Sequence, residues 1–411
     1  AKLVKEFPHI PGIDFSGTVL ESDNSKFVKG DEVILTGWRV GEIYFGGYSQ
    51  MAKVNGDFLV KKPKDITSKQ AMILGTAGLT ALLCSFAIKA REELLLGEKV
   101  KDVLVTGASG FVGLQLCQTL SQVGYSITAL SRSGVNLPGV SNICLDDFSD
   151  GQALDAALVG KECVIHTAAR VHIMHESAHH PLVEFRRVNR DITRVIANRA
   201  AIAGVKRFVF LSSIKVNGEM TQLGVPFTAD DIPAPLDAYS ISKMEAEQGL
   251  REIARQTDME VAIIRPPLVY GPGVKANFAA IMRWLKLGVP LPLGAIQNQR
   301  SLVALDNLVD LILTCLSHPA AANHTFMVSD CEDVSTTELL RRMGYAAGWP
   351  VRLVPVPASW LKMLAGMVGK QDVAQRLCGS LQVDVEKTRC LLGWTPPLSL
   401  DEGLREAAKG L

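Results

Sequence analysis

The chain has 411 residues, 47% of them hydrophobic and 21% charged, enough for more than one domain and for sizeable buried cores. Lys+Arg numbers 43 and Asp+Glu 42. That balance gives no long-range attraction for nucleic acid or an anionic membrane, and neither is an expected partner.

Residues 1–96 read as short strands punctuated by Pro11-Gly12, Gly30-Asp31, Thr36-Gly37 and Gly46-Gly47. The polar, charged start is unlike a signal peptide. The uncharged segment Gln70 to Ile88 is marginally long for a membrane span and holds Thr76, Gly78, Thr80 and Ser85, so a buried globular helix is expected there. Residues 89–101 are charged and suit a linker or surface helix.

The pattern then changes. DVLVT (102–106), SITAL (126–130), SNICL (141–145), CVIHT (163–167), RFVFLS (207–212) and VAIIR (261–265) are short apolar runs separated by helical stretches. That alternation implies an α/β fold with a doubly wound parallel sheet. The eight cysteines, among them Cys84, Cys117 and Cys163, form no CxxC pair or ligand cluster, so a reducing cytoplasm is expected and metal is not.

Gly107-Ala-Ser-Gly110-Phe111-Val112-Gly113 lies between a strand and a helix. Glycine permits the tight turn and the close approach of a pyrophosphate, and the helix N-terminus offers free N–H groups. The second strand ends in Leu130-Ser131-Arg132-Ser133. An acid there would bond the ribose hydroxyls of NAD; a guanidinium with two hydroxyls suits the 2′-phosphate of NADP. The expected cofactor is therefore NADP or NAD, with a lean to the former.

Tyr239-Ser-Ile-Ser-Lys243 places a phenol and an amine on one helix face. A nearby ammonium stabilises phenolate, so Tyr239 can exchange a proton with a substrate hydroxyl as hydride moves. Ser212-Ser213 ends an earlier strand and offers a hydroxyl for the same oxygen.

Residues 100–411 resemble the extended short-chain dehydrogenase/reductases of the NAD-dependent epimerase/dehydratase group. The motifs are TGASGFVG (106–113), VIHTAA (164–169), VNRDIT (188–193), YSISK (239–243), RPPLVYGPG (265–273) and RSLVALDNLVD (300–310). The resemblance implies a Rossmann core over about 100–265 plus 301–316, and a substrate part over about 266–300 and 317–411. It implies that Gly107, Gly110, Phe111, Val112 and Gly113 hold the cofactor, with Ser131, Arg132, Asp147, Phe148, Ala168, Ala169, Asn189 and Pro266 lining it. Ser213, Tyr239 and Lys243 are then the catalytic set, and Arg300 meets a nucleotide-sugar diphosphate. A UDP-sugar is the implied substrate and a homodimer the default by analogy. Reduction of a UDP-4-keto sugar and 4-epimerisation of a UDP-hexose both remain open. The first is favoured because Asn217 stands where many epimerases carry Tyr and because no acid follows the second strand. A non-catalytic nucleotide-binding scaffold is the alternative of another class.

Residues 5–96 are instead similar to the quinone-oxidoreductase branch of the medium-chain reductases, the acrylyl-CoA reductases above all. FPHIPGIDFSGTV (7–19), KGDEVILTGWRVGE (29–42) and AMILGTAGLTA (71–81) carry the likeness. A mostly β, GroES-like partial domain over 1–96 followed by a short-chain dehydrogenase over 97–411 is the expected organisation, an apparent chimera joined near TGASG. A natural fusion with a regulatory N-terminal unit is the alternative.

Overall fold

The computed structural model describes residues 8–64, 66–72, Gly75, 102–145, Phe148, 151–170, 180–274, 277–367 and 371–409. The chain divides into two compact units, Ala1–Leu94 and Leu95–Leu411.

In the first unit, β1 (Asp14–Thr18), β2 (Glu32–Thr36) and β3 (Leu59–Lys61) form an antiparallel sheet in that order. Val33 and Leu35 alternate with more exposed neighbours and are buried, the period-two pattern of a half-covered sheet. A helical start at 68–72 is described; the rest of the apolar segment expected to be a buried helix lies outside the described residues, Gly75 aside.

Among the described residues, the main sheet of the second unit has seven strands: β4 (Asp102–Thr106), β5 (Ser126–Ser131), β6 (Val140–Cys144), β7 (Cys163–His166), β8 (Arg207–Leu211), β9 (Glu260–Arg265) and, after the separate short pair β10 (Leu268–Tyr270) and β11 (Leu302–Ala304), β12 (Thr325–Met327). Their order is β12-β9-β8-β7-β4-β5-β6, and every bonded pair is parallel. The helices are α1 (Phe111–Gln122), α2 (Gly151–Leu158), α3 (Pro181–Phe185), α4 (Ile192–Ile202), α5 (Ala238–Gln256), α6 (Asn277–Lys286), α7 (Leu305–Ser317), α8 (Thr336–Ala347), α9 (Ala358–Met367), α10 (Gln371–Cys378), α11 (Glu386–Leu392) and α12 (Leu400–Lys409).

Alternate strand residues feed two cores. Val103, Val105, Ile127 and Ile264 pack with Leu116 and Leu120 of α1 and Leu308 and Ile312 of α7. Leu104, Val164, Phe208 and Ile263 pack on the other face with Leu154 of α2, Ile196 of α4, and Leu250 and Ile253 of α5. Buried on both sides, the inner strands read as continuous apolar runs, whereas the edge strand β6 is mostly exposed. A third core around Tyr270, Phe278, Leu340 and Leu404 sits under β10, β11, α6, α8 and α12.

Strand order reverses between β4 and β7. In open α/β sheets the crevice outside the strand ends at such a point is the ligand site. The chain places Gly107 and Ala168 there, immediately past β4 and β7.

Candidate functional site

The turn from β4 into α1 is built by steric necessity. Gly107 has φ +71°, and a Cβ on it would lie 2.7 Å from the Ala168 nitrogen. A Cβ on Gly113 would lie 2.8 Å from the Ala108 Cα and nearer still to the Gly107 carbonyl oxygen. Glycine at both positions lets α1 dock onto the turn and the turn onto the loop after β7. Gly110 is the N-cap of α1 and supplies no side-chain cap, so the first-turn N–H groups at Phe111 and Val112 face an exposed cradle without a built-in acceptor. That is the chemistry of an anion site.

At the end of β5, Ser131 is buried, and its Oγ has no hydrogen-bond partner. A buried unpaired hydroxyl costs free energy unless a ligand meets it. Arg132 beside it is exposed. The open glycine cradle and the orphaned Ser131 hydroxyl fit the diphosphate and adenosine end of a dinucleotide. Phe148 packs partly against the core under α2 and α4; Asp147 lies outside the described residues.

The loop Thr167–Arg170 is held from behind. Asn189 is fully buried; its Oδ1 accepts from the Arg170 N–H at 2.8 Å, and its Nδ2 donates to the Arg170 carbonyl at 3.1 Å and to the Ser242 Oγ at 3.0 Å. One amide thus ties the loop beyond Ala168 and Ala169 to α5. It sits in a π-helical insertion, Arg186–Asp191, between α3 and α4, a local widening frequent at functional sites.

α5 begins at a capping box. The Asp237 carboxylate accepts from the Ser240 N–H at 2.7 Å, and the Ser240 Oγ bonds the Asp237 backbone. This fixes the first turn that carries Tyr239. Tyr239 is half-buried; burial pushes its pKa up to about 12, opposed by its interaction with the Ser213 side chain. One turn on, the buried Lys243 donates from Nζ to the Leu211 carbonyl at 2.8 Å and stands 4.4 Å from the centre of the Phe210 ring. Burial pulls its pKa down to about 7, with Glu247 opposing. The Lys243 amine is bonded to Leu211, and desolvation is the leading cause of both shifts.

The paired serines divide. Ser213 interacts with Tyr239, whereas the Ser212 Oγ donates to Glu247 at 2.6 Å, inside a buried cluster. There Arg265 meets Glu247 through two hydrogen bonds of 2.9 and 2.6 Å, and its third nitrogen donates to Asn217 at 2.9 Å. Asn217 is thus a clamp on Arg265. The Pro266 carbonyl accepts from the Ile214 N–H at 3.0 Å, steadying the segment after Ser213.

Arg300 lies apart, in the C-terminal part. It is half-buried and donates to the Arg376 carbonyl at 2.6 Å and the Gly379 carbonyl at 3.3 Å; burial lowers its pKa. No carboxylate pairs with it among the described residues.

One residue of the region has no role in the sequence reading: His166. It is fully buried between the Thr106 Oγ1 (2.6 Å from Nδ1) and the Thr193 Oγ1 (2.9 Å from Nε2), and it stacks on Phe210. Thr193 already donates to the Asn189 carbonyl, so it accepts from Nε2–H, and Nδ1 accepts from Thr106. Burial, then Lys243, pull its pKa down to about 3, and the ring is neutral. A histidine inside the apolar run CVIHT was the available signal.

Comparison with known proteins agrees with this architecture. Residues 103–329 match the NAD dependent epimerase/dehydratase family, and residues 2–64 match the alcohol dehydrogenase GroES-like domain. A UDP-glucose 4-epimerase from Vibrio cholerae is 46% identical over 311 residues, 75% of this chain and 95% of that protein. An acrylyl-CoA reductase from Ruegeria pomeroyi is 48% identical over 129 residues, 31% of this chain but only 38% of that enzyme. The solved structure of a UDP-glucose 4-epimerase from Thermotoga maritima with UDP-glucose superposes with a TM-score of 0.61 at 22% identity, covering 75% of this chain and 98% of that one, a likeness of fold. The chain belongs to the NAD-dependent epimerase/dehydratase family and carries, ahead of that enzyme domain, a GroES-like domain of the alcohol dehydrogenase type.

Proposed function

We propose that the chain inverts C4 of a UDP-hexose, with Tyr239, Ser213 and Lys243 as its catalytic residues and Gly107, Gly110 and Gly113 as its cofactor cradle. The observation that carries this reading is the Tyr239 side chain set against Ser213, one helical turn from a buried amine on α5. The 46% identity to a UDP-glucose 4-epimerase along nearly its whole length supports C4 chemistry. The cofactor supplies the hydride-accepting ring and a positive charge. Tyr239, with a pKa near 12 in the protein alone, needs that charge and the Lys243 amine to take the proton of the C4 hydroxyl, and it returns the proton to the 4-keto sugar. Ser213 orients the same oxygen. Arg300, already fixed by two carbonyls, has N–H groups left for the diphosphate.

Reduction of a UDP-4-keto sugar is the second reading, and one observation favours it: exposed Arg132 beside Ser131, with no acid at that strand end. The experiment that separates the two is incubation of purified protein with UDP-glucose or UDP-galactose without added cofactor. Interconversion supports the epimerase; no interconversion, with NADPH consumed on a UDP-4-keto sugar, replaces it with the reductase.

A further inference from the structure

Helix α9 departs from the rule that an amphipathic helix turns its apolar stripe to the core. Trp360, Met363, Leu364 and Met367 recur at i, i+3, i+4 and i+7, so they share one face. All four are 53% to 78% exposed, and no residue of this helix is buried. Four large side chains on one face are not a scatter of single surface hydrophobes.

A second exposed apolar pair lies at the end of α6, whose trailing segment is bonded to the one that leads into α9. Residues 291–294 run beside 352–354: the Leu291 N–H donates to the Arg352 carbonyl at 2.9 Å, and the Val354 N–H to the Leu291 carbonyl at 2.8 Å. That ribbon joins the segment leading into α9 to the one leaving α6, where Trp284 and Leu287 are 51% and 71% exposed. The charges of the two stretches have one sign. Residues 277–293 and 348–367 contain Arg283, Lys286, Arg352 and Lys362 and no Asp or Glu. All four cations are exposed, none forms an ion pair among those observed, and Lys286 stands over the Trp349 ring at 5.7 Å. In a chain with 43 basic and 42 acidic residues this is a local segregation that the net charge conceals.

We propose that this face docks on the surface of an anionic lipid bilayer. Trp, Leu and Met on one helical face with Lys and Arg around them is the chemistry of an interfacial helix, whose apolar side enters the headgroup boundary while the cations meet lipid phosphates. The ten residues of α9 are far too few to span a bilayer, so the helix lies in the interface plane. A protein partner would need a matching acidic, apolar groove; a membrane supplies both features over any area. The proposal does not depend on which C4 reaction the enzyme performs.

The test is co-sedimentation of the full chain with sucrose-loaded vesicles of phosphatidylcholine alone or with one third phosphatidylglycerol. Binding is expected to the anionic vesicles only, with release when salt is raised into the range where the Debye length shrinks to a few Å. The double variant Arg283→Glu/Lys362→Glu should bind at least about tenfold more weakly, and Trp360→Ser/Met363→Ser should lose binding at low salt, both with unchanged far-ultraviolet circular dichroism and unchanged turnover of soluble substrate. Equal binding to neutral vesicles, or no binding to anionic ones by the wild type, overturns the proposal without reference to any variant. So does light scattering that shows a dimer lost in Trp360→Ser/Met363→Ser while vesicle binding persists, which would make the face a contact between two copies of this chain.

Discussion

Replacing Gly113 by alanine probes the cofactor cradle with one methyl group. The new Cβ would stand 2.8 Å from the Ala108 Cα and from the Gly107 carbonyl carbon, and nearer to the Gly107 oxygen. These are backbone atoms, not flexible side-chain ends, so relief requires α1 to retreat by about 0.6 Å or more to reach ordinary contact. The core under α1 is closed by Leu116, Cys117 and Leu120, all fully buried, and resists that retreat. Overpacking of this kind costs about 1–3 kcal/mol in stability. The N–H groups of the first turn move with the helix, so cofactor affinity should fall at least about tenfold, an ångström-scale misplacement of donors being felt strongly. Chemical denaturation and titration with NAD and NADPH measure both effects. Unchanged stability together with unchanged affinity would refute the argument that this glycine lets the helix meet the turn.

Tyr239→Phe should lower kcat by about 10²–10⁴ while cofactor affinity stays within a factor of two, because proton transfer is lost and the cradle is untouched; a near-normal rate removes Tyr239 from the mechanism. His166 has a folded pKa of about 3 against 6.5 unfolded, so its contribution to stability is complete above pH 6.5 and is lost as pH falls toward 3. His166→Gln should therefore flatten the acid limb of a stability-versus-pH curve, and an unaltered limb contradicts the neutral, buried ring. Arg132→Ala should weaken NADPH more than NADH, measured by comparing the two affinities; an equal change in both leaves Arg132 without a role in cofactor choice.

Legibility followed physical constraint. The glycine turn was readable because sterics permit no other residue at Gly107 and Gly113, and the strands were readable because burial on both faces demands unbroken apolar runs. Tyr239 and Lys243 were readable because a fixed helical spacing brings them to one face. What the sequence concealed depends on contacts between distant segments. Nothing in VNRDIT marks a π-helical insertion, since one extra residue per turn leaves no compositional trace, yet that insertion aims Asn189 at Arg170 and Ser242. Asn217 read as a departure from a motif and proves to hold Arg265. A nearby ammonium was expected to stabilise the Tyr239 phenolate; burial raises its pKa, and Lys243 bonds Leu211. The even global charge does not reveal local arrangement: Arg283, Lys286, Arg352 and Lys362 stand exposed on stretches that hold no Asp or Glu.

The reading of the chain as a C4 epimerase rests on hydride leaving and returning to the same carbon within one enzyme. The direct measurement is turnover of UDP-galactose deuterated at C4, with the product analysed by NMR and no cofactor added. The account predicts UDP-glucose that retains deuterium at C4, and no such retention in the Tyr239→Phe protein over the same time. Product with solvent hydrogen at C4, or label delivered to free nicotinamide cofactor, would contradict it.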